Sequence, residues 1–127
     1  MESELPCVLV VEDEALLAFD LEHELSLAGY KVEVATSGDD AIRLLDRAGK
    51  FAAVLSDIRL GSGSDGWAVA KHARRIDPTI PIVYMSGDSS ADWASEGVPS
   101  SLMLAKPFAM AQIITAVSGL TNQVPSS

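Results

Sequence analysis

The chain has 127 residues, 48% of them hydrophobic, and a formal net charge of −9. That length suits one domain with a sizeable core, and the charge excludes the basic footprint that nucleic-acid binding or docking on anionic membranes needs. The start, Met1-Glu2-Ser3-Glu4, is acidic, no apolar run approaches the ~20 residues of a membrane span, and the lone Cys7 forbids an internal disulfide, so a cytoplasmic protein is expected.

Val8-Leu9-Val10-Val11 runs straight into Glu12-Asp13-Glu14. A continuous apolar run of this kind reads as a strand buried on both faces, as in a parallel sheet. Three acids at its exit repel one another unless solvent or a cation offsets them, and a hard divalent cation such as Mg²⁺ takes oxygen ligands of this type. The plainer reading is a helix N-terminus, where carboxylates favour the macrodipole. Residues 15–28 follow as a helix, with Leu17, Leu21, Leu25 and Ala28 on one face and Gly29 as its stop. Lys31-Val32-Glu33-Val34-Ala35 alternates, as a strand near a sheet edge does. Residues 37–40 turn into a second helix with the stripe Ala41, Leu44, Leu45 and Ala48, stopped by Gly49.

Residues 51–57, Phe-Ala-Ala-Val-Leu-Ser-Asp, repeat the opening pattern of an apolar run ending on an acid. The loop 59–66 carries Gly61, Gly63 and Gly66, but its spacing does not match a phosphate-cradling P-loop, and it reads as a flexible connection. Asp65 is placed to cap a third helix reaching Ile76, with Val69, Ala73 and Ile76 inward, and Asp77-Pro78 closes it. Residues 81–86 form a fourth strand ending on Ser86. Residues 91–96 make a weak helix, cut short by Gly97 and Pro99. Residues 102–105 form a fifth strand before Lys106-Pro107-Phe108, and residues 109–119 a last helix with Ile113, Ile114, Val117 and Leu120 apolar. His23 and His72 lack a second ligand at metal spacing and are expected on the surface, the run 71–75 is expected to be a solvated basic face, and Trp67 and Trp93 are expected at partly exposed positions.

Five strand–helix repeats specify an α/β domain with a parallel sheet and helices on both faces. The doubly wound, flavodoxin-like strand order 2-1-3-4-5 is the natural topology, with its switch point between the first and third strands. Glu12, Asp13, Asp57, Ser86 and Lys106 then share the carboxyl edge of the sheet. Three acids, a hydroxyl and an ammonium at one rim suit phosphoryl transfer to a carboxylate, where positioning and electrostatics do most of the work.

At these residues the sequence resembles the receiver domain of two-component response regulators. The motifs are Val10-Val11-Glu12-Asp13-Glu14, Asp57, Asp65-Gly66, Met85-Ser86-Gly87 and Lys106-Pro107-Phe108, within a stretch of about residues 5–121. The resemblance implies one receiver domain over residues 1–127 with a loose tail at 122–127. It implies that Asp57 accepts phosphate from a sensor histidine kinase or a histidine phosphotransfer protein. Mg²⁺ would be held by Asp13 directly, by Glu12 mainly through water, by Asp57 itself and by the backbone carbonyl of Arg59. Lys106 would pair with the phosphoryl oxygens, Ser86 would swing toward them, and the Gly87 amide would donate to them. A cis Lys106-Pro107 bond is expected.

The sequence departs from the family pattern where Met103 takes the place of the usual aromatic, and where the loop after Asp57 lacks Met-Pro and is one residue longer. A stand-alone, chemotaxis-type switch is implied, acting through protein contact at the face of the fourth helix, fifth strand and fifth helix, with a homodimer as one mode. Two other readings stay open. One is a Mg²⁺-dependent phosphohydrolase with an aspartyl nucleophile, which would carry an acid where Arg59 stands. The other is a receiver-like scaffold that is never phosphorylated. All three share the fold, so fold alone does not choose among them.

Overall fold

The computed structural model describes residues 5–47, 50–88 and 90–122. In chain order the elements are β1 (Cys7–Val11), α1 (Ala15–Leu27), β2 (Lys31–Ala35), α2 (Gly38–Arg47), β3 (Ala53–Asp57), α3 (Gly66–Ile76) and β4 (Ile82–Ser86). A single 3-10 turn (Ser90–Asp92) then leads into α4 (Trp93–Glu96), β5 (Leu102–Ala105) and α5 (Met110–Thr121). The sheet is parallel throughout, in the order β2-β1-β3-β4-β5, as the alternation of strands and helices predicts.

Burial follows from strand position. β3 and β4 are buried along their whole length and β1 from Val8 onward, which is why they read as unbroken apolar runs. β2 alternates because it is an edge strand, and its exposed Lys31 and Glu33 discourage pairing with another chain. The pleat sends successive side chains to opposite faces and so builds two cores. Val8, Val10, Leu55, Val83 and Met85 meet Leu21 and Leu25 of α1 and Ile113 and Val117 of α5. Leu9, Val11, Val54, Ile82 and Tyr84 meet Ala41 and Leu45 of α2 and Val69, Ala70 and Ala73 of α3.

Several local expectations are corrected. α1 turns Ala18, Leu21 and Leu25 inward but leaves Leu16, Phe19, Leu27 and Ala28 exposed and Leu17 only half-buried. A helix with apolar residues on every side has no single stripe to read. Ile76 is half exposed because it is the last residue of α3, beyond the body of the core. Trp67 is buried rather than partly exposed, its ring edge-on to Tyr84 at 4.7 Å between centroids. The basic run on α3 is not wholly solvated: Arg74 is half-buried and donates to the carbonyls of Ile80 at 2.7 Å and Pro99 at 2.6 Å. His72 is likewise half-buried, 2.7 Å from Asp46, whereas His23 is exposed and stacks on Phe19. β3 starts at Ala53 rather than Phe51, although Phe51 is still buried in the core.

Other expectations hold. Asp65 caps α3 by accepting from the Ala68 N–H at 2.9 Å, Gly29 ends the α1 region at φ +102°, and Trp93 is 37% exposed. α4 is a single turn with no buried residue. The expected stop at Ala48 and Gly49, and residues 123–127 of the expected tail, lie outside the described residues.

α3 begins in direct contact with the end of β3. A Cβ built on Gly66 would lie 2.2 Å from the Asp57 carbonyl oxygen, and the Gly66 N–H donates to the Ile58 carbonyl at 2.8 Å. Gly66→Ala is therefore expected to destabilise the protein by about 2–3 kcal/mol in urea unfolding, as overpacking against backbone does. A loss below about 0.5 kcal/mol would mean that α3 is free to move off β3.

Candidate functional site: an acidic pocket at the carboxyl edge

The carboxyl ends of β1 and β3 lie side by side, with Val11 opposite Ser56. The chain leaves β1 at Glu12 and ends β3 at Asp57, so the topology delivers two acids to the same place, with Asp13 next to them. One carboxylate oxygen from each of Glu12, Asp13 and Asp57 lies within 4.8 Å of the others. Glu12 is only 1% exposed and Asp57 is buried, while Asp13 faces solvent. Glu12 is not serving as a helix-start acid. α1 begins at Ala15 with no side-chain cap from Glu14, and Glu12 turns inward.

β5 supplies the counter-charge. The residue after its end, Lys106, places Nζ 2.9 Å from Asp57 Oδ2 and 3.3 Å from Glu12 Oε1. The Lys106 N–H donates to the Ser86 carbonyl at 2.8 Å, and the Lys106–Pro107 bond is cis, as expected. Asp57 Oδ1 accepts from the Ile58 N–H at 2.8 Å, and Glu12 Oε2 from the Glu14 N–H at 3.1 Å. Burial pushes the Glu12 carboxyl up to about 6, with the charge of Asp57 adding to it, while the Glu14 N–H and Lys106 pull the other way. Burial alone would lower the Lys106 ammonium, but its hydrogen bond to Asp57 and the charges of both carboxylates outweigh this and raise it.

A family model described as response regulator receiver domain matches residues 8–118. The chain belongs to the response regulator receiver family. A solved structure described as a response regulator receiver protein from Sinorhizobium medicae is 48% identical, superposes with a TM-score of 0.92, and is matched over 94% of this chain and 97% of its own. The transcriptional regulatory protein PrrA of Mycobacterium leprae is 33% identical over 93% of this chain and 51% of its own length. The receiver thus spans about half the length of the first curated relatives it matches. The receiver domain of sensor histidine kinase PA1611 from Pseudomonas aeruginosa, 23% identical with a TM-score of 0.80 over 94% of this chain and 100% of that one, is described with a magnesium ion coordinated in its active site cleft.

The receiver brings Glu12, Asp13, Asp57 and Lys106 into one cluster, as their positions at strand ends predict. Ser86 lies at the end of β4, buried, with its Oγ accepting from the Asp88 N–H at 3.1 Å. Arg59 and Gly87 lie in the loops that leave β3 and β4 at the same edge. Sequence reasoning missed the link between those loops: Arg59 Nε donates to Asp88 Oδ1 at 3.0 Å while its other end meets Oδ2 at 3.0 Å. The signal was present, since opposite charges stand two residues past the ends of adjacent parallel strands.

The donor set fits a divalent cation. It offers three hard carboxylate oxygens and no sulfur or nitrogen, and three negative charges stand against one ammonium. Without a cation, Glu12 carries a folded-state pKa near 6 against its ordinary 4.5. The native state then binds more protons than the unfolded chain between these values, so stability falls as pH rises from about 4.5 to above about 6. Lys106 holds Glu12 down and also pairs with Asp57, so Lys106→Met is expected to cost about 1–3 kcal/mol at pH 7.5, discounted for partial exposure, and less at pH 5, where protonation of Glu12 leaves only the Asp57 pair to be lost. Urea unfolding in a chelator at the two pH values checks this. An equal cost at both would mean that Lys106 is not what stabilises the Glu12 charge.

Proposed function

We propose that this receiver is a phosphorylation-activated switch in which Asp57 takes a phosphoryl group from a phosphohistidine. An oxygen of Asp57 attacks phosphorus and forms the acyl phosphate. The phosphorus–nitrogen bond breaks, and the donor imidazole keeps the electron pair and takes up a proton. The observation that carries this reading is the Asp57 carboxylate held between the Ile58 N–H and the Lys106 ammonium at 2.8 and 2.9 Å, beside two further carboxylates.

Glu12, Asp13 and Asp57, with the Arg59 carbonyl, would hold Mg²⁺. Bound there, the ion supplies positive charge against which the phosphoryl oxygens gather. Lys106 moves from carboxylate to phosphoryl oxygen without leaving the pocket, and the Ser86 hydroxyl and Gly87 N–H donate to the remaining oxygens. Through these groups the receiver takes part in its own phosphorylation and dephosphorylation. The added charge biases two conformations that contact it differently. Residues 5–121 act as one receiver unit in the cytoplasm. The donor is a sensor histidine kinase or a histidine phosphotransfer protein. The output is protein contact through α4, β5 and α5, by a downstream partner or a second copy, with no role in nucleic-acid or membrane binding. The magnesium described for the PA1611 receiver supports the choice of ion. Arg59, exposed and paired with Asp88, speaks against a phosphohydrolase that needs an acid at that position.

Intact-protein mass after incubation with Mg²⁺ and a small phosphodonor tests the reading. The wild type is expected to gain one phosphoryl group and Asp57→Asn none. Chelating Mg²⁺ is expected to slow the gain by about a hundredfold or more, the scale of several kcal/mol of transition-state charge stabilisation. If neither the donor nor beryllofluoride modifies the wild type, the constitutive scaffold becomes the better account.

A further inference from the structure

The segment between β4 and β5 is held from α3 at two points, by Arg74 on the Pro99 carbonyl at 2.6 Å and by Lys71 beside Glu96 at 3.4 Å, and enters the core at one. α4 is one turn with no buried residue, and among residues 91–100 only Val98 is buried. A chain of hydrogen bonds through three side chains ties it to the core. Tyr84, fully buried in the middle of β4, accepts from the Val98 N–H at 3.1 Å. The Ser101 hydroxyl donates to the Val98 carbonyl at 2.6 Å and accepts from the Trp93 indole N–H at 2.9 Å. The Trp93 ring lies against Gly97, where a Cβ would come within 2.3 Å of Cδ1. Both polar groups of Val98 are thus held by side chains, with Tyr84 as the anchor.

Tyr84 is also connected to the acidic pocket from two directions. Along β4 it stands two residues before Ser86. Across the core its ring meets Trp67, the residue after Gly66, whose backbone lies against the Asp57 carbonyl. Its neighbour in register on β5 is Met103, a flexible thioether that gives way more easily than a ring. A displacement at Asp57 or Ser86 therefore reaches Tyr84 through stiff elements. From Tyr84 it meets a segment with one buried residue, and few buried apolar contacts mark the low-stability end of a fold. Packed cores convert small shifts into a change between discrete arrangements.

We propose that the Tyr84 hydroxyl is the pin of a conformational switch, holding residues 93–101 in the resting arrangement through Val98, and that loading of Asp57 releases this segment by breaking the Tyr84–Val98 bond. The inference rests on the phosphorylation reading and names the route by which it would reach the surface of α4.

Hydrogen exchange followed by mass spectrometry on the whole chain tests it, with and without Mg²⁺ and beryllofluoride. Loading the wild type is expected to speed exchange in residues 93–101 by about tenfold, the scale of one lost hydrogen bond, and to leave β1 and β3 unchanged. Tyr84→Phe is expected to show the faster exchange before loading and no further response, while a parallel incubation with Mg²⁺ and the small phosphodonor still adds the mass of one phosphoryl group. Ser101→Ala, which removes a tether of the same segment but keeps the Tyr84 hydroxyl on the Val98 N–H, is expected to keep the response, so that a general loosening of the segment cannot account for its loss in Tyr84→Phe. The proposal is overturned if Tyr84→Phe responds as the wild type does, or if the wild type forms the adduct with no change in residues 93–101. An absent adduct on the wild type overturns the switch reading itself, and it is seen in the mass rather than in the exchange.

Discussion

The Lys106 ammonium between the carboxylates of Glu12 and Asp57 is the contact on which the pocket depends. Two buried acids side by side are costly, and an unpaired buried charge costs more than a paired one gains. One lysine, delivered from the far edge of the sheet, pairs with both while β1, β3 and β5 supply a residue each. The cis Lys106–Pro107 bond and the Lys106 N–H to the Ser86 carbonyl fix where that lysine leaves β5. Under the proposed function the same ammonium would meet the incoming phosphoryl group, so one charge would serve both the resting pocket and its reaction.

Sheet topology turns this local arrangement into a site. A parallel sheet puts every strand's carboxyl end at one edge, and the 2-1-3 order sets the ends of β1 and β3 next to each other. The loops that follow are held in place rather than left open. Gly66 seats α3 on the backbone of Asp57, and Arg59 reaches across to Asp88 in the loop after β4. Residues 91–100 enter the core only at Val98 and are otherwise held from α3, by Arg74 on the Pro99 carbonyl and Lys71 beside Glu96.

What the sequence made legible follows from how much each signal owes to its own neighbourhood. β1, β3 and β4 are buried on both faces, so their apolar runs stand out, and the acids and the serine at their exits are visible with them. The weakness of α4 was legible from Gly97 and Pro99, which break the chain locally. Burial set by distant partners was not legible. Trp67 is buried because Tyr84 stands beside it, and Arg74 is tied down by carbonyls at residues 80 and 99. The Tyr84 hydroxyl finds its partner in a backbone N–H fourteen residues away, a pairing no periodicity encodes. In α1 the signal itself is degenerate: Leu16, Phe19 and Leu27 are as apolar as Leu21 and Leu25, and only packing distinguishes them.

The sheet also acts as a wall. Val8, Val10, Leu55, Val83 and Met85 serve the layer of α1 and α5, while Leu9, Val11, Val54, Ile82 and Tyr84 serve the layer of α2 and α3, and among the described residues no core side chain belongs to both. The layers share only the backbone ladder and the charged rim above it. Over evolutionary time, each layer can drift in sequence without forcing a compensating change in the other. A lineage can rebuild the solvent face of α1, already apolar at Leu16, Phe19 and Leu27, while the half of the molecule that holds Tyr84 and Trp67 stays as it was.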